Sequence, residues 1–193
     1  EIEVLRVDWM SQSQLEAACK KKDVVIHAAG LNQSDCESDP TKGLIVNGLY
    51  TANSIEAAIK QKVRRFIYLS TAHVYSNRLE GDINEETCVL NLHPYATSHK
   101  AGEDYLRNAI LLNKIDGATV RLSNVFGAPA SAKQNCWHLA MNEFAKMAIN
   151  EKQIRIHTNA GQYRDFVPMS IFLKRMCETI LYTNYENNIV NVG

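Results

Sequence analysis

Short apolar runs alternate along this chain with longer stretches whose apolar residues recur at helical spacing. Val24-Val25-Ile26-His27 and Phe66-Ile67-Tyr68-Leu69 are runs of the kind buried on both faces of a parallel sheet, and the second ends in Ser70-Thr71. Ala118-Thr119-Val120-Arg121-Leu122 and Ile189 to Val192 predict two further strands. Ile2 to Val7 also reads as a strand, ending at Asp8. Between these runs a polar helix fits Ser11 to Lys20. A long helix fits Pro40 to Lys62, its apolar stripe on Leu44, Ala52, Ile55, Ala58 and Ile59. Another carries Tyr95 and runs to Asn113, and two more fit Trp137 to Asn150 and Ser170 to Tyr182. This β-α-β alternation implies an α/β fold with a doubly wound parallel sheet. Ligands in such sheets sit at the carboxyl ends of the strands. Asp8, Ala28, Ala29, Gly30, Ser70, Thr71 and Asn124 all fall there.

Composition narrows the field. The 193 residues suffice for one sizeable core, and 46% apolar with 22% charged residues is ordinary for a globular protein. Basic and acidic side chains balance at 21 each, which argues against a broad nucleic-acid or membrane surface. The five cysteines are scattered without CxxC spacing, so neither a zinc site nor a disulfide framework is expected. A reducing cytoplasm is the simplest location for them.

The frame His93-Pro94-Tyr95-Ala96-Thr97-Ser98-His99-Lys100 carries the candidate chemistry. A tyrosine opening a helical stretch resembles the catalytic helix of the short-chain dehydrogenase/reductases, where a lysine stands four residues after the tyrosine. Here that position is His99, and the lysine comes one place late as Lys100. A helix turns about 100° per residue, so position i+4 lies roughly 40° from Tyr95 while i+5 lies about 140° away. A phenol with an ordinary pKa near ~10 needs a neighbouring positive charge and a hydrogen-bonded cofactor hydroxyl to exchange protons near neutrality. Lysine supplies a permanent charge. His99 can donate a hydrogen bond to a ribose but is cationic only part of the time.

The order of the remaining motifs extends the resemblance to the extended branch of that superfamily, the NAD-dependent nucleotide-sugar epimerases and dehydratases. The resemblance implies NAD or NADP as cofactor and a nucleotide-sugar as substrate. It assigns Asp8 to the adenine amino group, and the small residues Ala28, Ala29 and Gly30 to the strand end that lines the dinucleotide, with Ser70 also on the cofactor side. His27 reads as a core histidine, and Asn47 as a helical asparagine that fixes backbone near the site. By register from Val74-Tyr75, Thr71 matches the catalytic serine or threonine, beside Tyr95 as proton donor or acceptor and His99 at the nicotinamide ribose. Asn124 and Arg164 match substrate contacts, and His73 is a candidate to face the sugar. The 4,6-dehydratases carry Asp-Glu directly after the catalytic threonine; Ala72 and His73 stand there instead, which disfavours that dehydration. The resemblance further implies a homodimer through the helices carrying Asn47 and Tyr95, with Tyr105, Ile110 and Leu112 available on the second.

One expected part is missing from the sequence. A Gly-rich turn after the first strand normally holds the pyrophosphate, and no such spacing occurs here. The chain therefore reads as an interior portion of a longer enzyme, with a natural short variant as the alternative. Residues 1–130 are expected to be a partial dinucleotide-binding domain. Residues 131–193 are expected to be a partial substrate-binding region interleaved with the last strands. The leading function is an epimerase or ketoreductase; the competing one is a non-catalytic, dinucleotide-binding or regulatory member of the same fold.

Overall fold

The computed structural model describes residues 2–131, 136, 137, 139–156, 163–182 and 188–193. Four strands form a parallel sheet: β1 (Val24–His27), β2 (Arg65–Thr71), β3 (Asp116–Leu122) and β6 (Ile189–Val192), in the spatial order β1-β2-β3-β6. Val24 lies opposite Arg65, Thr71 opposite Leu122, and Thr119 opposite Ile189. A second, two-stranded parallel sheet pairs β4 (Asn124–Phe126) with β5 (Phe166–Pro168).

The side-chain alternation of β2 assigns its two faces. Phe66 and Tyr68 join the core made with α1 (Gln12–Cys19), α4 (Tyr50–Lys60) and α5 (Pro94–Leu111). Ile67 and Leu69 join the opposite core, where Phe172 and Met176 of α7 (Met169–Leu181) cover the sheet. Helices on both faces of a parallel sheet make the doubly wound arrangement expected from the sequence. Arg65, with no exposed surface, clamps the layers together. Its Nε donates to the Thr179 carbonyl at 2.9 Å, another guanidinium nitrogen donates to the Tyr182 carbonyl at 2.7 Å, and it pairs with Asp116. The remaining helices are α2 (Gln33–Ser38), α3 (Pro40–Gly43) and α6 (Ala140–Asn150).

One expectation needs correction, and two features go beyond what the pattern predicts. Ile2 to Val7 forms no strand: residues 2–6 are exposed, and no described neighbour pairs with them. An apolar run becomes a strand only where another takes up its backbone groups. The long helix from Pro40 runs without a gap to Lys60, but as α3 and α4 joined through a π-helical turn over Leu44–Leu49. That turn sets Gly48 against α5, where an added Cβ would lie 3.5 Å from the Cβ of Ala101. Such π-turns inside helices are frequent at functional sites. Finally, α2, β4 and β5 went unread, because three to six residues are too few for periodicity to register.

Candidate functional site

The site grows from the carboxyl ends of β1 and β2 and from the first two turns of α5. Pro94 opens α5 at its first helical position, where the missing N–H costs nothing, and His93 Nδ1 accepts the Tyr95 amide at 3.2 Å. The buried stripe of α5 then runs Ser98, His99, Gly102, Glu103, Leu106, Ala109. It is polar toward the strand ends and apolar toward the core. That gradient places Tyr95 and His99 at the cleft while Leu106 anchors the helix.

Ala28, Ala29 and Gly30 follow β1 as an exposed, small-residue segment. Gly30 is confined on its inner side: a Cβ there would meet Asn47 Oδ1 at 3.2 Å and His99 Cε1 at 3.6 Å. Asn47, fully buried in the π-turn, holds this segment. Its Oδ1 accepts the Leu31 amide at 2.7 Å, and its Nδ2 donates to the Leu31 carbonyl at 3.3 Å and to Ser98 Oγ at 3.0 Å. One asparagine thus ties the end of β1 to α5.

Tyr95 is half-buried, its ring edge-on to His99 with centroids 4.7 Å apart. Burial pushes its phenol pKa up, and the neighbouring Thr71 hydroxyl holds it down in part. Thr71 is buried at the end of β2, where its Oγ1 accepts the His73 amide at 3.1 Å and starts a 3-10 turn over Ala72–Val74. His99 is 6% exposed, with Nδ1 2.8 Å from the Tyr68 hydroxyl. Burial, aided by the nearby His27, pushes His99 down to about 4. It is therefore neutral at physiological pH. Lys100 turns away and pairs with Asp104. It lines a cavity of about 510 Å³ on another side of α5 that includes none of Thr71, Tyr95 or His99.

The other candidates lie apart from this cluster or are already engaged. Ser70 donates to Glu103 Oε1 at 2.5 Å, and Glu103 Oε2 accepts from Arg121 at 2.6 Å; the Ser70 hydroxyl thus serves the layer under α5. Asp8 sits exposed on the turn before α1, its carboxylate accepting the Met10 amide at 2.9 Å. Asn124 donates through Nδ2 to the Asp165 carbonyl at 2.9 Å, securing the β4–β5 pairing beside Arg164. Arg164 is exposed. Burial first, then the charges of Arg164 and His93, lowers the pKa of His73. The sequence reading passed over Tyr68, which contacts His99 directly; the only signal was its place two residues before Ser70 on the α5-facing side of β2. Among the described residues no cluster of three or more His, Cys, Asp or Glu side chains is arranged to hold a metal, and no helix is long and apolar enough to cross a membrane.

The whole chain, residues 1–193, matches the family described as NAD dependent epimerase/dehydratase. A putative UDP-glucose 4-epimerase from Methanocaldococcus jannaschii is 30% identical over 176 residues, covering 90% of this chain and 56% of that protein. The chain thus spans little more than half of that relative's length. Among solved structures, the UDP-N-acetylglucosamine 4-epimerase from Methanobrevibacter ruminantium M1, in complex with UDP-N-acetylmuramic acid, superposes with a TM-score of 0.83 at 24% identity, over 98% of this chain and 60% of that one. A double mutant of DesIV, a dTDP-glucose 4,6-dehydratase from Streptomyces venezuelae with NAD and DAU bound, gives 0.82 at 18% identity, over 97% and 56%. Both share the fold.

Proposed function

The chain belongs to the NAD-dependent epimerase/dehydratase family, and on that premise we propose that it serves as an NAD(P)-dependent epimerase or ketoreductase of a nucleotide-sugar. The observation that carries the reading is the convergence of Thr71, Tyr95 and His99 beside Gly30 at the strand ends. The exposed Ala28-Ala29-Gly30 segment lets a dinucleotide approach the backbone, and its confinement by Asn47 and His99 fits the nicotinamide half of the cofactor. The bound dinucleotide supplies or accepts the hydride. Tyr95 passes the accompanying proton to or from the sugar oxygen, Thr71 orients that oxygen, and His99 holds a ribose hydroxyl. Residues 1–130 carry the cofactor side, and residues 131–193 bring Arg164 to the substrate side together with Asn124 and His73. An arginine fork suits the phosphates of a nucleotide-sugar. No carboxylate occupies positions 72 and 73, so dehydration is not the proposed reaction.

Tyr95→Phe tests this directly. With NAD(P) and UDP- or dTDP-hexoses, turnover falls by about 10²-fold or more, the usual contribution of a positioned acid or base. Unchanged turnover rejects the reading. A second reading, cofactor binding without hydride turnover, is favoured by one observation: His99 is held neutral, so no permanent charge faces the phenol. Retained dinucleotide binding with no turnover of any hexose tested selects it. A homodimer is also proposed, through the faces that leave Leu44, Ile45 and Leu49 of the π-turn and Tyr105 of α5 exposed. Sedimentation that gives a dimer mass in the native protein, lost with Leu49→Lys, supports it; a monomer in the native protein rejects it.

A further inference from the structure

We propose that Tyr68 is a positioning residue for His99, donating its hydroxyl hydrogen to Nδ1 so that the imidazole presents Nε2–H to the cleft beside Tyr95 and Gly30. The inference rests on the cofactor role given to His99 above but turns on different atoms. Tyr68 is fully buried on the α5-facing side of β2. Its hydroxyl lies 2.8 Å from His99 Nδ1 and 3.4 Å from the Asn47 carbonyl. A phenol has one hydrogen to give. The Asn47 carbonyl is the poorer acceptor, because it stands farther off than Nδ1, 3.4 Å against 2.8 Å, and shares its lone pairs with the Thr51 hydroxyl at 2.7 Å. The shorter contact therefore takes the hydrogen, Nδ1 is the acceptor, and the ring proton sits on Nε2. The reverse arrangement sends the Tyr68 hydrogen to the long Asn47 contact or to the neighbouring Thr51 hydroxyl, which is already engaged with His27 and the Asn47 carbonyl, and leaves the cleft facing an unprotonated nitrogen.

The surroundings keep both partners in these states. His99 stacks on Tyr68 with centroids 5.9 Å apart and meets Tyr95 edge-on. His27, bonded to Thr51 Oγ1 at 3.0 Å, lies beyond Tyr68. All four rings are neutral: burial lowers both histidines to about 4 and raises both phenols. The nearest charged groups on α5 are paired elsewhere, Lys100 with Asp104 and Glu103 with Arg121. The tautomer of His99 is thus set by a hydrogen bond alone. An Nε2–H donor matches a ribose hydroxyl oxygen, and a fixed tautomer removes the cost of choosing one on binding.

The test is nitrogen NMR on ¹⁵N-histidine-labelled protein near pH 7, with the His99 signals identified by their loss in His99→Gln. The expected result is a pyrrole-like Nε2 and a pyridine-like Nδ1 in the native protein, and a mixture of tautomers in Tyr68→Phe. In the same variant the KM for the dinucleotide rises roughly five- to tenfold, the effect of one hydrogen bond, while the KM for the sugar stays put. A protonated Nδ1 in the native protein overturns the proposal, as does a Tyr68→Phe variant with an unchanged tautomer. The native spectrum needs neither the variant to fold nor any activity. A failed tautomer assignment with an active Tyr95 therefore sinks this inference alone. A confirmed tautomer with a silent Tyr95→Phe sinks only the catalytic reading.

Discussion

Replacing His99 by lysine restores the charge that the cleft lacks, and its effect follows from the geometry. The ring of His99 is centred 4.7 Å from that of Tyr95. If an ammonium at 99 came within about 5 Å of the phenol oxygen, then in an effective dielectric of ~20 it would favour the phenolate by about 3 kcal/mol, equivalent to about 2 pH units. Even at the ordinary phenol pKa of ~10, only about one tyrosine in 300 is ionised at pH 7.5, and burial raises Tyr95 above that ordinary value. His99→Lys should therefore increase the tyrosinate population by roughly 10²-fold. The loss of solvation around a buried ammonium offsets part of this.

The assay is the pH dependence of sugar oxidation, the direction in which the proposed mechanism uses Tyr95 as base. The native protein should show a rate rising tenfold per pH unit through pH 7 to 9, because the phenol stays protonated there. In His99→Lys that limb should move toward lower pH by about two units, the rate at pH 7.5 rising about 30- to 300-fold. Reduction, which uses the phenol as acid, should change little below the new limb. A His99→Lys protein that keeps its thermal midpoint and shows an unmoved oxidation limb refutes the reasoning, because the charge at 99 would then not govern the proton on Tyr95.

Two predictions concern stability. Glu103→Ala strands Arg121, which is 4% exposed and is left against the face of the Tyr75 ring, 4.7 Å away. Removing one member of a buried pair costs about 3–5 kcal/mol, and urea unfolding that shows a loss below about 1 kcal/mol counts against this. The buried histidines predict acid lability. Both have folded-state pKa values near 4 against 6.5 unfolded, so the unfolded chain binds more protons between those limits. Stability is complete above about pH 6.5 and is lost as pH falls toward 4, by up to ~3 kcal/mol per histidine. His99→Gln should flatten that slope in urea titrations at pH 4 to 7, and an equally steep slope in the variant argues against the assignment.

The strands that the apolar runs revealed are those with partners. Val24 to His27 and Phe66 to Thr71 are held by neighbours on the sheet, and their apolar character reports that burial. Ile2 to Val7 carries the same local signal but has no ladder among the described residues. Pairing is a property of two segments, and one segment's pattern cannot declare it. The π-turn within the long helix was equally invisible. Leu44 to Leu49 keeps helical composition, and what opens it into a π-turn is the fit of Gly48 against α5 and of Asn47 against Leu31. In the site, helical spacing was enough to set His99 beside Tyr95 and to turn Lys100 away. Spacing said nothing of Tyr68, since the partner of a helical side chain on a neighbouring strand depends on register between elements 31 residues apart.

That partner changes how the substitution at 99 reads. A lysine dropped into a cleft lined only by apolar carbon would be unsupported, and a histidine there would be unremarkable. Here the surrounding groups suit an uncharged ring: Tyr68 offers one hydrogen, His27 is itself bonded to Thr51, and the rings of Tyr68 and Tyr95 flank the imidazole, the second edge-on. Two charges on α5 near the site are neutralised away from the cleft, Lys100 by Asp104 one turn on along the same helix and Glu103 by Arg121 of β3. The helix thus separates two tasks. Glu103, bonded to Ser70 and paired with Arg121, ties the helix to β2 and β3, while neutral hydrogen-bonding groups face the proposed site. Desolvation favours the protonated phenol of Tyr95, so under the proposed mechanism its release of a proton should depend on what binds beside it. A dinucleotide titration that leaves the oxidation limb of the pH profile unmoved would count against this.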